Sequence, residues 1–194
     1  MTTSTHPNTV FPTHTLDSAP TGSRPALERL RAAIGVIPNL AATMSESPAL
    51  IETFVSTRSL VREKGTFTTL EGELIALVNA VENGCAYCAA IHSTFALTAG
   101  AEASMVEQLR NGGTPEDPKL AALVRCTRQL VRSRGWLTPE DLHEFLAAGH
   151  EKAQVLELIA RLALSILANY AAHLTHPEPD AAIRPHFRQA TPHS

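Results

Sequence analysis

The stretch Thr68-Thr-Leu-Glu71-Gly-Glu73-Leu-Ile-Ala-Leu-Val-Asn-Ala-Val-Glu-Asn-Gly84-Cys85-Ala-Tyr-Cys88-Ala-Ala-Ile-His92 decides the fold class. Thr68 followed three residues later by Glu71 is a capping box, in which each side chain satisfies an N–H left free at a helix start. Leu74, Ile75, Leu77, Val78 and Val81 then recur at helical spacing, and Asn83-Gly84 ends the run. A second helix begins at about Cys85 and continues to Thr98, where Ala99-Gly100 stops it. Two helices joined by so short a turn make an antiparallel hairpin and leave no room for a strand between them.

The same punctuation continues in both directions. Ser47-Pro48 caps a helix that runs to about Lys64-Gly65, and Glu102 to Arg110 forms a short one closed by Asn111-Gly112-Gly113. Further helices are predicted from Pro118 to Ser133, from Thr138-Pro139, and from Glu151 to about His173. Residues 1–25, rich in Thr, Pro, Ser and His, read as an extended arm held against a neighbouring subunit. Residues 26–185 read as a single all-α domain, a helical bundle, and residues 186–194, with Pro192, as an irregular tail.

Composition narrows the function classes. Apolar residues make up 44 % of the 194 and charged ones 18 %, a globular balance, while aromatics at 5 % leave the core to Ala, Leu, Ile and Val. The net charge of -3 and the lack of a basic run argue against nucleic acid as a partner. The longest apolar stretch, Leu156 to Ala172, is broken by Glu157, Arg161, Ser165 and Asn169, which reads as a buried helix and not a membrane anchor. The first residues carry no basic or apolar targeting segment, so a reducing cytoplasm is the expected setting. In that setting a close cysteine pair points to catalysis or metal binding.

Residues three and four apart share a helix face, so Cys85, Cys88 and His92 are expected to be neighbours. Cysteines at i and i+3 have α-carbons roughly 5 Å apart, within the range a disulfide tolerates. The thiolate is the reactive form, and a thiol of pKa about 8.5 needs help to reach it at neutral pH. Free N–H groups at the helix start favour a thiolate at Cys85, whereas His92 can take the proton of Cys88. The spacing leaves the choice of nucleophile open. Glu73, on the preceding helix of the hairpin, is placed to orient His92.

Other readings compete. A cysteine pair in a helix can be plain packing, and Cys126, among Leu123, Val124 and Leu130, reads as core. Zinc would need a second ligand pair, and no other C-x-x-C or H-x-H knuckle is present. His173 and His176 suit the negative end of the long helix. Asn169, Tyr170 and His173 interrupt its apolar face and are expected to line a pocket or an intersubunit seam.

With Glu73, Cys85, Cys88 and His92 at E-x(11)-C-x-x-C-x-x-x-H spacing, the stretch resembles the alkylhydroperoxidase D-like core of the carboxymuconolactone decarboxylase family. The resemblance is close over about residues 66 to 100. Gly35-Val-Ile-Pro-Asn39 with Ser47-Pro48, and Asn169-Tyr170 leading to Asp180, look like the flanks of the longer, peroxidase-related members. It implies an all-helical fold, peroxidase or disulfide-reductase activity and a homo-oligomer (dimer, trimer or hexamer). It also implies Cys88 as peroxidatic cysteine, Cys85 as resolving cysteine, and Glu73 with His92 as proton relay. Many relatives of this type have His between the cysteines, where this chain has Tyr87, a modulating position and a poor proton shuttle at neutral pH.

The expectation is therefore a thiol peroxidase without metal or organic cofactor, taking a hydroperoxide and an external dithiol reductant. A lyase using Glu73 and His92, which would need Arg or Lys in its pocket for an anionic lactone, is the alternative. A non-enzymatic redox-sensing oligomer is the third reading.

Overall fold

The computed structural model describes residues 10–188. Nine α-helices and two 3-10 turns account for the regular structure of these residues, and no strand occurs among them. The helices are α1 Arg24–Ile34, α2 Asn39–Met44, α3 Pro48–Lys64, α4 Thr69–Glu82 and α5 Ala86–Thr98. They continue as α6 Ala103–Arg110, α7 Pro118–Arg132, α8 Pro139–Ala147 and α9 Lys152–Thr175. The all-α expectation holds.

Most helix starts are written in the sequence. The Thr68–Glu71 capping box opens α4, and Thr138 with Asp141 makes another at α8. Asp117 accepts the N–H of Leu120 at 2.8 Å to open α7, and Ser47 accepts that of Leu50 at 3.3 Å to open α3. Such caps are each worth about 1 kcal/mol.

The expected extended arm differs in structure. Residues 1–9 lie outside the described residues, but from Leu16 onward the chain packs on its own core. Ala19 is buried, Arg24 Nη2 donates to Asp17 O at 2.7 Å, and Ser23 Oγ donates to Ser45 O at 2.6 Å. Thr21–Ser23 is a 3-10 turn, and α1 starts at Arg24 with no side-chain cap. The described part of the arm thus needs no neighbouring subunit to hold it. At the other end His186 closes a 3-10 turn, Ala181–His186, and Arg188 pairs with Glu107 at 2.7 Å; residues 189–194 of the expected tail lie outside the described residues.

Two apolar clusters form the interior. The larger joins α1 through α6 with the C-terminal half of α9 and Ile183. The smaller holds Phe67, Ile75, Leu123, Cys126, Leu130, Phe145, Leu158 and Leu162. Helices α4, α7 and α9 contribute to both, and α4 is buried nearly all round, from Leu74 to Ala80. Truncating one of its leucines would cost about 2–5 kcal/mol.

The hairpin turn positions the site. Gly84 takes φ 66, the left-handed region that favours glycine. Its N–H reaches Val81 O at 3.1 Å and the Cys85 N–H reaches Ala80 O at 2.8 Å, a Schellman closure of α4. Cys85 is also the N-cap of α5, its Sγ accepting the Cys88 N–H at 3.4 Å. One residue ends one helix and starts the next, which fixes where both cysteines stand relative to Glu73.

Candidate functional site

Helix α5 carries Cys88 and His92 one turn apart, and both face a cavity of about 100 Å3. Its walls are apolar, with Leu30 and Ile34 from α1, Leu40 from α2, Phe54 from α3, and Ile91 and Phe95 from α5. Leu164, Ser165 and Ala168 of α9 close another side. Cys85 lies behind Cys88 and is not on the wall.

Both cysteines are buried and free. A hydrogen bond between the sulfurs, with the Cys88 and Tyr87 N–H groups at the helix start, holds the Cys85 thiol below its usual range. The same hydrogen bond, with burial, pushes the Cys88 thiol well up, and the Asn169 amide opposes this. Of the two, Cys85 is therefore the more acidic thiol, with Cys88 as donor to it.

Glu73 reaches His92 as the hairpin topology predicted, with Oε2 2.8 Å from Nδ1. Giving Nδ1–H to the carboxylate leaves the lone pair on Nε2, the form a base requires. No hydrogen bond between His92 and Cys88 is present among the described residues. The two share the cavity wall, and a molecule in the cavity would lie between them.

Tyr87 is a structural pin. Its hydroxyl donates to Asp180 Oδ2 and accepts the Leu40 N–H at 3.3 Å, while Asp180 Oδ1 accepts the Asn39 N–H at 3.0 Å. Burial and the Asp180 carboxylate hold its phenol far above the ordinary value, so it moves no proton at neutral pH. The residue thus ties α2 and the Ala181–His186 turn to α5.

The three polar residues that interrupt α9 part company. Asn169 points inward, its Oδ1 taking the Asn83 Nδ2–H at 3.0 Å and its amide nitrogen left for Cys88. Tyr170 and His173 lie outward with their rings 6.3 Å apart. Cys126 is in the smaller core cluster, where burial, with the Asp141 charge adding to it, pushes its thiol up to about 12. No three metal-ligating side chains converge among the described residues.

The reading from residues alone missed Arg58 as a site residue. With His92 it borders both the apolar cavity and a polar cleft of about 160 Å3, which Arg62, Phe67, Gly72, Glu73 and Arg161 complete. The one signal for it was Arg58 and Arg62 at i and i+4 on α3. Asp180 and Asn169 act across more than eighty residues of chain, which no local pattern encodes.

Residues 48–129 match the sequence model of the Carboxymuconolactone decarboxylase family. No match is found among the curated proteins. Among solved structures, the alkylhydroperoxidase D core of an uncharacterized peroxidase-related protein from Ralstonia eutropha JMP134 superposes with a TM-score of 0.80. It is 19 % identical, over 92 % of this chain and 95 % of that one. A peroxidase-related protein from Silicibacter sp. TM1040 gives 0.76 at 19 % identity, covering 97 % and 100 %. The debrominase Bmp8, in complex with 2,3,4-tribromopyrrole, gives 0.75 at 19 %, covering 91 % and 94 %. The matched segment spans the helical hairpin that carries Glu73, Cys85, Cys88 and His92, and these likenesses extend its fold to the whole bundle. On this ground residues 48–129 are similar to the carboxymuconolactone decarboxylase family, and the chain has the fold of an alkylhydroperoxidase D core.

Proposed function

We propose that the chain is a thiol peroxidase working through Cys85 and Cys88. The observation that carries this reading is the position of Cys88 on the wall of an apolar cavity, with Cys85 behind it and the Glu73–His92 pair on the same cavity. Acidity alone would favour Cys85 as nucleophile, but only Cys88 meets a molecule in the cavity.

The Cys88 sulfur attacks the terminal peroxide oxygen, its S–O bond forming as the O–O bond breaks. The thiol proton passes to His92, held in the receptive tautomer by Glu73, and from there to the departing alkoxide, giving the alcohol. Cys85, the more acidic thiol, then attacks the Cys88 sulfenic acid, forming the disulfide and releasing water. An external dithiol reduces the disulfide and is itself oxidised. The cycle uses no metal or organic cofactor.

Self-association belongs to the same reading. One side of α9 packs on α2, α3, α4 and α5, while Leu156, Ile159, Tyr170 and Leu174 of the other side, with Leu60 of α3, are exposed. Such an apolar stripe suits a second copy of the chain in a cytoplasmic homo-oligomer. Helix α9 is long and apolar enough to cross a membrane by length and composition; its packed side supports a place in the bundle instead.

Arg58 on the cavity wall supports a second reading, a lyase for an anionic lactone with Glu73 and His92 as acid and base. The two are separated by mass spectrometry of free thiols before and after one equivalent of hydroperoxide. The peroxidase reading expects loss of two thiols, at Cys85 and Cys88, and no hydroperoxide consumption by Cys88→Ser. Unchanged turnover in that variant would sink it, and lactone decarboxylation surviving loss of both cysteines would establish the lyase.

A further inference from the structure

The polar cleft beside the cavity is lined by three guanidiniums, Arg58, Arg62 and Arg161. Arg58 and Arg62 present their side chains from one face of α3, and neither forms a hydrogen bond or an ion pair among the described residues. Arg161, the third guanidinium, is held by Glu157 at 2.7 Å and lies over the Phe67 ring at 5.4 Å. Gly72 makes room for it: a Cβ there would stand 2.5 Å from Arg161 Nη1. Three guanidiniums thus face two carboxylates, Glu73 and Glu157, a surplus of one positive charge when His92 is neutral.

Two like charges one helical turn apart repel, and an arrangement that also half-buries one of them gains when an anion arrives. Burial, with Arg62 adding to it and Glu73 opposing, pulls the Arg58 guanidinium below its ordinary value. The Glu73 carboxylate on the same cleft disfavours a dianion, so a carboxylate suits the surplus better than a phosphate.

Since Arg58 and His92 border both spaces, an anion at the arginines has its attached apolar part beside the cavity on which Cys88 lies. We propose that Arg58 and Arg62 bind the carboxylate of an amphipathic acid whose apolar chain enters the cavity, so that the substrate is a hydroperoxide of such an acid. The substrate clause rests on the peroxidase reading; the binding clause does not.

Two measurements test it separately. In calorimetry, octanoate should bind the wild-type protein, octan-1-ol much more weakly, and Arg58→Gln or Arg62→Gln should weaken octanoate by about tenfold or more, the scale of a lost charge-assisted contact. In kinetics, kcat/KM for linoleic acid hydroperoxide should exceed that for its methyl ester by about tenfold or more, and the ratio should approach one in either glutamine variant. Arg58→Lys should keep part of the preference. Arg125→Gln makes the same charge change at an exposed site paired with Glu144, away from the cleft, and should leave the ratio as in wild type. Absence of octanoate binding, equal binding of octanoate and inorganic phosphate, or an acid-to-ester ratio indifferent to Arg58 and Arg62 would overturn the proposal. If neither hydroperoxide is consumed while octanoate binding still depends on the arginines, the peroxidase reading falls and the anion site stands.

Discussion

Cys85 and Cys126 are both buried thiols, yet their surroundings drive them in opposite directions. Helix-start N–H groups and the Cys88 thiol favour the Cys85 thiolate, whereas nothing offsets burial at Cys126. Because the thiolate is the stabilised form at Cys85, its ionisation moves to lower pH. A thiolate absorbance at 240 nm should therefore rise at a pH below the ordinary cysteine range. Cys85→Ser should remove that step and Cys126→Ser should leave it, since Cys126 ionises only at about 12. A step that persists without Cys85 would refute this assignment. The residue types of the site were legible because helical spacing puts Cys85, Cys88 and His92 together and a capped hairpin brings Glu73 alongside. The relative acidity of the two cysteines was not, since it depends on which sulfur donates to the other and on Asn169, 81 residues beyond Cys88 in the chain.

At the scale of elements, helix α5 is anchored at its start by the Cys85 cap and on one flank by Tyr87. Replacing Tyr87 by Phe leaves the Asp180 carboxylate and the Leu40 N–H short of a partner, at a cost of about 1–3 kcal/mol. Denaturant unfolding should show that loss, and amide exchange should accelerate at Ala181–His186 before it does in α4; unchanged exchange there would show that the turn is held by Ile183 packing alone. Helix boundaries marked by capping side chains, those of α3, α4, α7 and α8, were readable to within a residue or two. Helix α1 was not, because it starts at Arg24-Pro25 without a capping side chain, inside a segment whose composition mimics a disordered one. Six-residue α2 is too short to display a period.

At the scale of the molecule, α9 holds the two clusters together on one side and offers an apolar stripe on the other. With self-association along that stripe, Leu156→Lys, at a position 74 % exposed, should shift light-scattering mass toward the monomer without loss of helicity. An unchanged mass would place the contact elsewhere. Such long-range placement was hidden from a linear reading. The Asn83 to Asn169 and Tyr87 to Asp180 contacts join positions 86 and 93 residues apart, and only the folded chain shows them. The segment that matches the family supplies Arg58, Arg62, Glu73, Cys85, Cys88 and His92. The amide beside Cys88, the partner of Tyr87 and the third guanidinium come from residues after it, and about half of the cavity wall comes from α1, α2 and α9 outside it. Transplanting the segment into another helical scaffold would therefore move Glu73, His92 and the cysteines but leave behind Asn169, Asp180, Arg161 and the part of the cavity wall that α1, α2 and α9 supply. The cavity is thus a joint product: α3 and α5 of the matched segment carry one part of its wall, and α1, α2 and α9 outside it close the rest.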